Sequence, residues 1–212
     1  MSALLIKLLL SYLIGSVVGS LLLGKLKGVD IRQQGSGNAG ATNALRTQGK
    51  GFALGTALID VGKGILAAWL IAPYGGASGG LGLAETQLAC GMAAALGHCY
   101  PVFHGFRGGK GAGTLIGAVA ALFPYLALGM LAVWAVVLGI GGYVGLATVC
   151  AGWSFPLWLW LAGGASPTLI ALGIAVALFL TYTHRSNLVR LREGTEHRFE
   201  KARWLHRLVA RG

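Results

Sequence analysis

The 212-residue chain is 55% hydrophobic and only 11% charged, with a formal net charge of +11 and 36 glycines. That composition excludes an ordinary soluble domain and a disordered chain, and it points to an all-α polytopic membrane protein in one domain. Its three cysteines and five histidines do not group with carboxylates into a ligand set, so neither a metal nor another cofactor is expected. The basic residues cluster beside apolar stretches, which makes the lipid bilayer rather than nucleic acid the expected macromolecular surroundings.

The first apolar stretch, Ala3 to Gly24, is long, and no small-x-small cleavage site followed by a polar mature sequence ends it; it reads as a span, not a signal peptide. Gly15/Gly19 and Ser16/Ser20 are small-xxx-small pairs that let another helix approach closely. A basic loop follows, about residues 25–51, containing GSGNAGATNALR (Gly35 to Arg46). Its glycines and small polar residues form turns able to surround an anion, and Arg46 offers a planar fork suited to phosphate. A flexible linker is the alternative, but a linker does not require Ser36, Asn38, Thr42 and Asn43 packed among small residues.

A second span runs near Phe52 to Ala72. Within it Asp60 and Lys63 are three apart, the spacing of a helical ion pair or of two groups facing a substrate. The uncharged linker Pro73 to Leu83 precedes a third span, near Ala84 to Phe103. His98 lies near the end of that span, either facing a polar cavity or hydrogen-bonded within the fold. The next loop, about 104–111, contains FRGGKGAGT (Phe106 to Thr114). Gly108, Gly109 and Gly111 let backbone N–H groups turn on an anion, and Lys110 adds a point charge. The pattern is not a Walker A loop, which needs glycine at His104 and Ser or Thr at Gly111.

From Gly111 to Thr183 there is no Asp, Glu, Lys, Arg or His. The last segment, 184–212, begins within THRSNLVRLREGTEHRFE. There His184 and Asn187 share one helix face, and Arg190, Arg192, Arg198, Arg203, Arg207 and Arg211 form a basic amphipathic tail suited to anionic lipid.

The positive-inside rule places all three basic segments in the cytoplasm and the amino terminus outside, with Lys7 the one dissenting charge. The uncharged block then starts and ends inside, so it crosses an even number of times. Two crossings of about 20 residues would strand about 30 apolar ones, whereas four of about 17 fit, with turns at Phe123-Pro124, Gly141-Gly142 and Gly163 to Pro167. Seven transmembrane helices with a cytoplasmic carboxyl terminus are expected.

SGNAGATNALR, then GHCYPVFHGFRGGKGAGT, then HRSNLVRLREGTE resemble, in order and spacing, the three cytoplasmic motifs of the PlsY family. These are the bacterial acyl-phosphate:glycerol-3-phosphate acyltransferases of the cell inner membrane. The resemblance covers nearly the whole chain; Ala39 and Ala112 stand where the family often has larger aliphatic residues. It implies transfer of a fatty acyl group from acyl phosphate to the 1-hydroxyl of glycerol-3-phosphate. The products would be lysophosphatidic acid and inorganic phosphate, in phospholipid biosynthesis. By the same resemblance Ser36, Asn38, Thr42, Asn43 and Arg46 would hold the phosphate and glycerol groups. Gly108, Gly109, Lys110 and Gly111 would form a phosphate loop, His184 and Asn187 would complete the pocket, and Glu196 would be a structural contact. The proton acceptor stays open among His98, His184 and a substrate phosphate oxygen. A small transporter of phosphorylated solutes is the alternative reading, but it predicts an internal repeat and mid-membrane charge in both halves, which the uncharged block lacks.

Overall fold

The structure, a computed structural model, describes residues 3–203, and among them every regular element is helical. The chain groups into two compact units that meet in sequence at Phe123–Pro124. The first contains α1 (Ala3–Gly15), α2 (Gly19–Lys27), α3 (Ala41–Thr47), α4 (Lys50–Leu66), α5 (Leu83–Cys99) and α6 (Ala112–Leu122). A π-helical turn, Ala67–Ile71, continues α4. The second contains α7 (Pro124–Gly141), α8 (Val144–Ala162), α9 (Pro167–Thr183) and α10 (Arg185–Arg192).

Four helical segments are long and apolar enough to cross a membrane: Ala3–Lys27, Lys50–Ile71, Pro124–Gly141 and Val144–Ala162. The bent pair α9 and α10, at 57° to one another, makes a fifth if it counts as one span. Two of the expected seven crossings therefore depend on α5 and α6. The first has 17 residues and carries Glu85 and His98; the second has only 11 residues. At 1.5 Å per residue α6 is about 16 Å long, half of a hydrocarbon core about 30 Å thick. The expected crossing of about 17 residues after Lys110 is thus shorter than composition suggested, because Gly111 caps its start and Pro124 begins the next helix.

The first span is also not the continuous helix that its hydropathy predicts. It breaks at residues 16–18, where Val18 adopts an extended conformation. Along α4 and the π turn, several polar residues point inward and several large apolar ones outward. Thr56, Asp60 and Lys63 are buried, whereas Leu54, Leu58, Trp69 and Leu70 are exposed. This inverted arrangement suits a helix whose outer face meets lipid.

Glycine permits the close approaches that the small-xxx-small pattern foretold. A Cβ at Gly15 would fall on the backbone of Ala94, and one at Gly97 on the carbonyl of Tyr12, which locks α1 to α5. The pair Gly64 and Gly117 does the same for α4 and α6, against Thr114 and Val61. Lys7, the topological dissenter, is buried and donates to the carbonyl of Gly76 in the linker after the π turn. In the second unit Trp134 donates to Thr148 from α7 to α8, and Trp153 to Thr181 from α8 to α9, at 3.3 and 3.1 Å.

Overpacking a close-packed interface typically costs about 1–3 kcal/mol. Gly117→Val and Gly97→Val should therefore lower the thermal unfolding midpoint of the detergent-solubilised protein. Gly62→Ala, inside α4 and with nothing within 4 Å of its Cβ, should leave it equal or higher, since alanine favours a helix over glycine.

Candidate active site

The break between α1 and α2 leaves orphan carbonyls at the end of one helix and orphan N–H groups at the start of the next. Two charged side chains from α4 satisfy them. The Lys63 ammonium donates to the carbonyls of Gly15 and Val17 at 2.8 and 2.9 Å. The Asp60 carboxylate accepts from Gly19 N–H at 3.1 Å. The two side chains pair with each other at 3.1 Å, both about 5% exposed or less. Cation at a helix C-terminus and anion at an N-terminus is also the arrangement that the helix dipoles favour.

His98, at the end of α5, joins this pair. Its Nδ1 lies 2.8 Å from Lys63 Nζ and 3.3 Å from Asp60 Oδ1, and the residue is 4% exposed. A lysine ammonium can only donate, so the shorter contact assigns Nδ1 as acceptor and puts the ring proton on Nε2. Of the two readings of His98, facing a polar cavity or hydrogen-bonded within the fold, this contact supports the second.

His98 Nε2 sits where a Cβ of Gly109 would be, and a Cβ at Gly108 would fall on the His98 carbonyl. The N–H groups of these two glycines are committed, Gly108 to the Cys99 carbonyl at 3.1 Å and Gly109 to the His98 carbonyl at 3.0 Å. These two bonds close the loop onto the end of α5. Lys110 adjoins the N-terminus of α6, which begins after Gly111 (φ 81°). A helix N-terminus directs unpaired N–H groups and partial positive charge at what lies before it.

In the first polar segment Asn43 is almost completely buried, and its amide group is used in full. Nδ2 donates to the carbonyls of Ile31 and Gln34 at 3.2 and 2.9 Å, and Oδ1 accepts from Ser36 N–H at 3.0 Å. Asn43 thus shapes the turn that carries Ser36. Gly35 (φ 57°) admits this arrangement, since a Cβ there would meet Asn43 Oδ1. Ser36 is exposed, Asn38 lies over Gly40, and Thr42 and Arg46 are four apart on one face of α3.

Arg32, which sequence reasoning passed over, joins the first two polar segments. Its guanidinium pairs with Asp30 at 2.7 Å and donates from Nη1 to the carbonyls of His104 and Arg107, each at 3.0 Å. The Arg32 hydrogen bond holds the Asp30 carboxyl below its usual range. Burial, with Lys25 and Arg32 nearby, pushes His104 down. The legible signal was Asp-x-Arg: Asp30 also caps the short helical turn Ile31–Gln33 by accepting Arg32 N–H.

In the second unit His184 ends α9. Its Nδ1 donates to the Leu180 carbonyl at 2.9 Å, which leaves Nε2 as the unprotonated nitrogen. Asn187 Nδ2 donates to Glu196 Oε1 and Arg190 Nε to Glu196 Oε2, both at 2.7 Å, with the Glu196 side chain 5% exposed. The Asn187 side chain lies on Gly145 at the start of α8. Arg198 donates to the Gly141 carbonyl and Phe199 N–H to that of Gly142, so the chain after α10 is tied to the turn between α7 and α8. Arg207 and Arg211 of the expected basic tail lie outside the described residues. Among the described residues no group of three or more His, Cys, Asp or Glu is placed to hold a metal.

The comparisons with known proteins are consistent along the chain. The profile of the glycerol-3-phosphate acyltransferase family matches residues 5–194. The glycerol-3-phosphate acyltransferase of Geobacter sulfurreducens is 39% identical over 191 residues, covering 90% of this chain and 94% of that protein. Two crystal structures of PlsY (YgiH), an integral membrane glycerol 3-phosphate acyltransferase, are each 38% identical. The glycerol 3-phosphate form has a TM-score of 0.84, with 95% of this chain and 98% of that chain covered. The lysophosphatidic acid form has a TM-score of 0.83, with 96% and 98% covered. With both sequence and fold matched over nearly its full length, this chain belongs to the glycerol-3-phosphate acyltransferase family.

Proposed function

We propose that the protein acylates the 1-hydroxyl of glycerol-3-phosphate from acyl phosphate, releasing lysophosphatidic acid and inorganic phosphate. The observation that carries this reading is Lys110 immediately before the N-terminus of α6, on a loop locked to α5 by its own glycines. A lysine adjoining a helix N-terminus brings together in sequence the charge and the N–H groups that suit a phosphate group. The relatives named above as glycerol-3-phosphate acyltransferases, and the PlsY forms with glycerol 3-phosphate and lysophosphatidic acid, support acceptor and product.

The hydroxyl oxygen attacks the acyl carbonyl carbon, the bond from that carbon to the phosphate oxygen breaks, and inorganic phosphate leaves. Acyl phosphate is a mixed anhydride whose leaving group is stabilised by neutralising its charge, so positioning and electrostatics supply the catalysis. Lys110 and Arg46 neutralise phosphate, with Ser36, Asn38 and Thr42 as the polar groups of the first segment. Asn43, Gly108 and Gly109 shape the backbone, and Asp60, Lys63 and His98 position it. The hydroxyl proton passes to a phosphate oxygen, in keeping with the engaged lone pair of His98. In the second unit Asn187, Arg190 and Glu196 hold the chain after His184, whose Nδ1 is bonded to the Leu180 carbonyl.

The assignment of donor and residues shares one assay, formation of lysophosphatidic acid by purified protein from glycerol-3-phosphate and each acyl donor in turn. Acyl phosphate should support turnover, and acyl-CoA or acyl carrier protein should not. Losing a charge-assisted hydrogen bond costs about 1.5–3 kcal/mol, so Lys110→Ala or Arg46→Ala should lower kcat/KM about ten- to a hundredfold. Arg46→Lys should restore only part of the loss if the fork geometry matters. Efficient turnover with acyl-CoA alone refutes the donor, and near-normal activity of both folded alanine variants refutes the phosphate role.

We further propose the inner membrane as location, with seven crossings, the amino terminus outside and the polar loops in the cytoplasm. Two ties support this: Lys7 to the uncharged linker at Gly76, and the segment after α10 to the turn at Gly141 and Gly142. Each joins parts that the scheme puts on the same side. Cysteines introduced at Gly80 and at Gln33 in intact cells give the test. Only the first should react with an impermeant maleimide; labelling of the second, or of neither, contradicts the scheme.

A further inference from the structure

The loop between α5 and α6 carries an apolar surface that the proposed chemistry does not use. Val102, Phe103 and Phe106 are 41%, 57% and 58% exposed, beyond the end of α5 rather than along its lipid-facing side. Phe106 has φ 59°, directly after Gly105 at 65°. A bulky residue in the left-handed region is strained and persists only where its surroundings impose it.

Those surroundings are a dense backbone network. His104 and Phe106 N–H groups donate to the Pro101 carbonyl at 3.0 and 2.9 Å, and Val102 N–H to Ser16 Oγ at 3.4 Å. Arg32 braces the carbonyls of His104 and Arg107. The loop is therefore a fixed platform that turns two phenyl rings outward, not a strand of chain that happens to be exposed.

Cations surround it. Arg107 is exposed next to Phe106. Lys25 and Lys27 are exposed in the last turn of α2, flanking Leu26, which is 80% exposed. The two regions adjoin, because Lys25 and His104 line one open cavity of about 310 Å³ together with Asp30 and Arg32. Apolar side chains ringed by cations match the chemistry of an anionic bilayer surface, with acyl chains below and phosphates above. A protein partner would not be expected at a patch lying beside helix ends that already meet lipid.

We propose that Phe103, Phe106 and Leu26 form an interfacial collar seated below the phosphates of an anionic lipid leaflet, with Lys25, Lys27 and Arg107 on its headgroups. The loop carrying Lys110 is thereby held at the lipid surface. The placement rests on membrane integration alone and does not depend on which acyl donor is used.

Nitroxide labels on full-length protein, reconstituted in vesicles of phosphatidylcholine and phosphatidylglycerol, test it. Cys150→Ser removes the partly exposed native thiol. Labels are then placed at Phe103→Cys and Leu26→Cys, the second sparing the strained loop. Leu58→Cys on the outer face of α4 and Gln33→Cys in the exposed turn give the lipid and water limits. Collision with oxygen should exceed collision with an aqueous nickel chelate at both collar positions, shifted clearly from Gln33 toward Leu58. Replacing Lys25, Lys27 and Arg107 with glutamine should shift both labels toward the aqueous limit. Labels at 103 and 26 that match Gln33, or depths unmoved by the glutamine substitutions, would overturn the collar or its cationic half respectively.

Discussion

The ion cluster of Asp60, Lys63 and His98 is the constraint on which the first unit depends. Two charges in an apolar span carry a desolvation cost of several kcal/mol each, which a pair recovers only with good geometry and further hydrogen bonds. Here the further bonds are the unpaired groups of a broken helix: two carbonyls for the lysine and one N–H for the aspartate. Each deficit satisfies the other. The break lets Ser16 reach Val102 N–H, and the cluster orients His98 against Gly109, so the loop that holds Lys110 inherits its position from charges buried in α4.

That arrangement explains why so much of the glycine in this chain is structural. Gly108 and Gly109 resemble an anion cradle, yet their N–H groups close the turn onto α5 and their missing side chains make room for His98. Electrostatic work is left to cations and to the start of α6. Such a division suits a reaction in which the donor already has a good leaving group. A rigid loop then needs to place charge rather than to activate a nucleophile.

The helical class, the membrane character, the polar segments and the family were legible because they reside in composition, charge clustering and local motifs. The small-xxx-small pairs predicted close packing, and Gly15 and Gly19 supply it, against Ala94 and Thr56. What sequence did not disclose depends on contacts between distant segments. Hydropathy averages over the break at residues 16–18, since its partners lie more than 40 residues away on α4. Asn43 looks like a ligand in a run of small polar residues, and only its three partners, Ile31, Gln34 and Ser36, reveal a structural amide. Arg32 was hidden for the same reason, its carbonyl partners lying in a loop more than 70 residues on. The 11-residue length of α6 escaped because an uncharged block gives no internal punctuation beyond glycine and proline.

The claim that one buried cluster holds both the helix break and the Lys110 loop is tested most directly by hydrogen–deuterium exchange of Lys63→Met. Methionine keeps much of the side chain's length and removes all four of the lysine's polar contacts, to Gly15, Val17, Asp60 and His98. The account predicts faster exchange together at residues 12–22 and 98–111, with residues 144–162 of the second unit unchanged. Faster exchange at the break alone, or a uniform increase across both units, would contradict it.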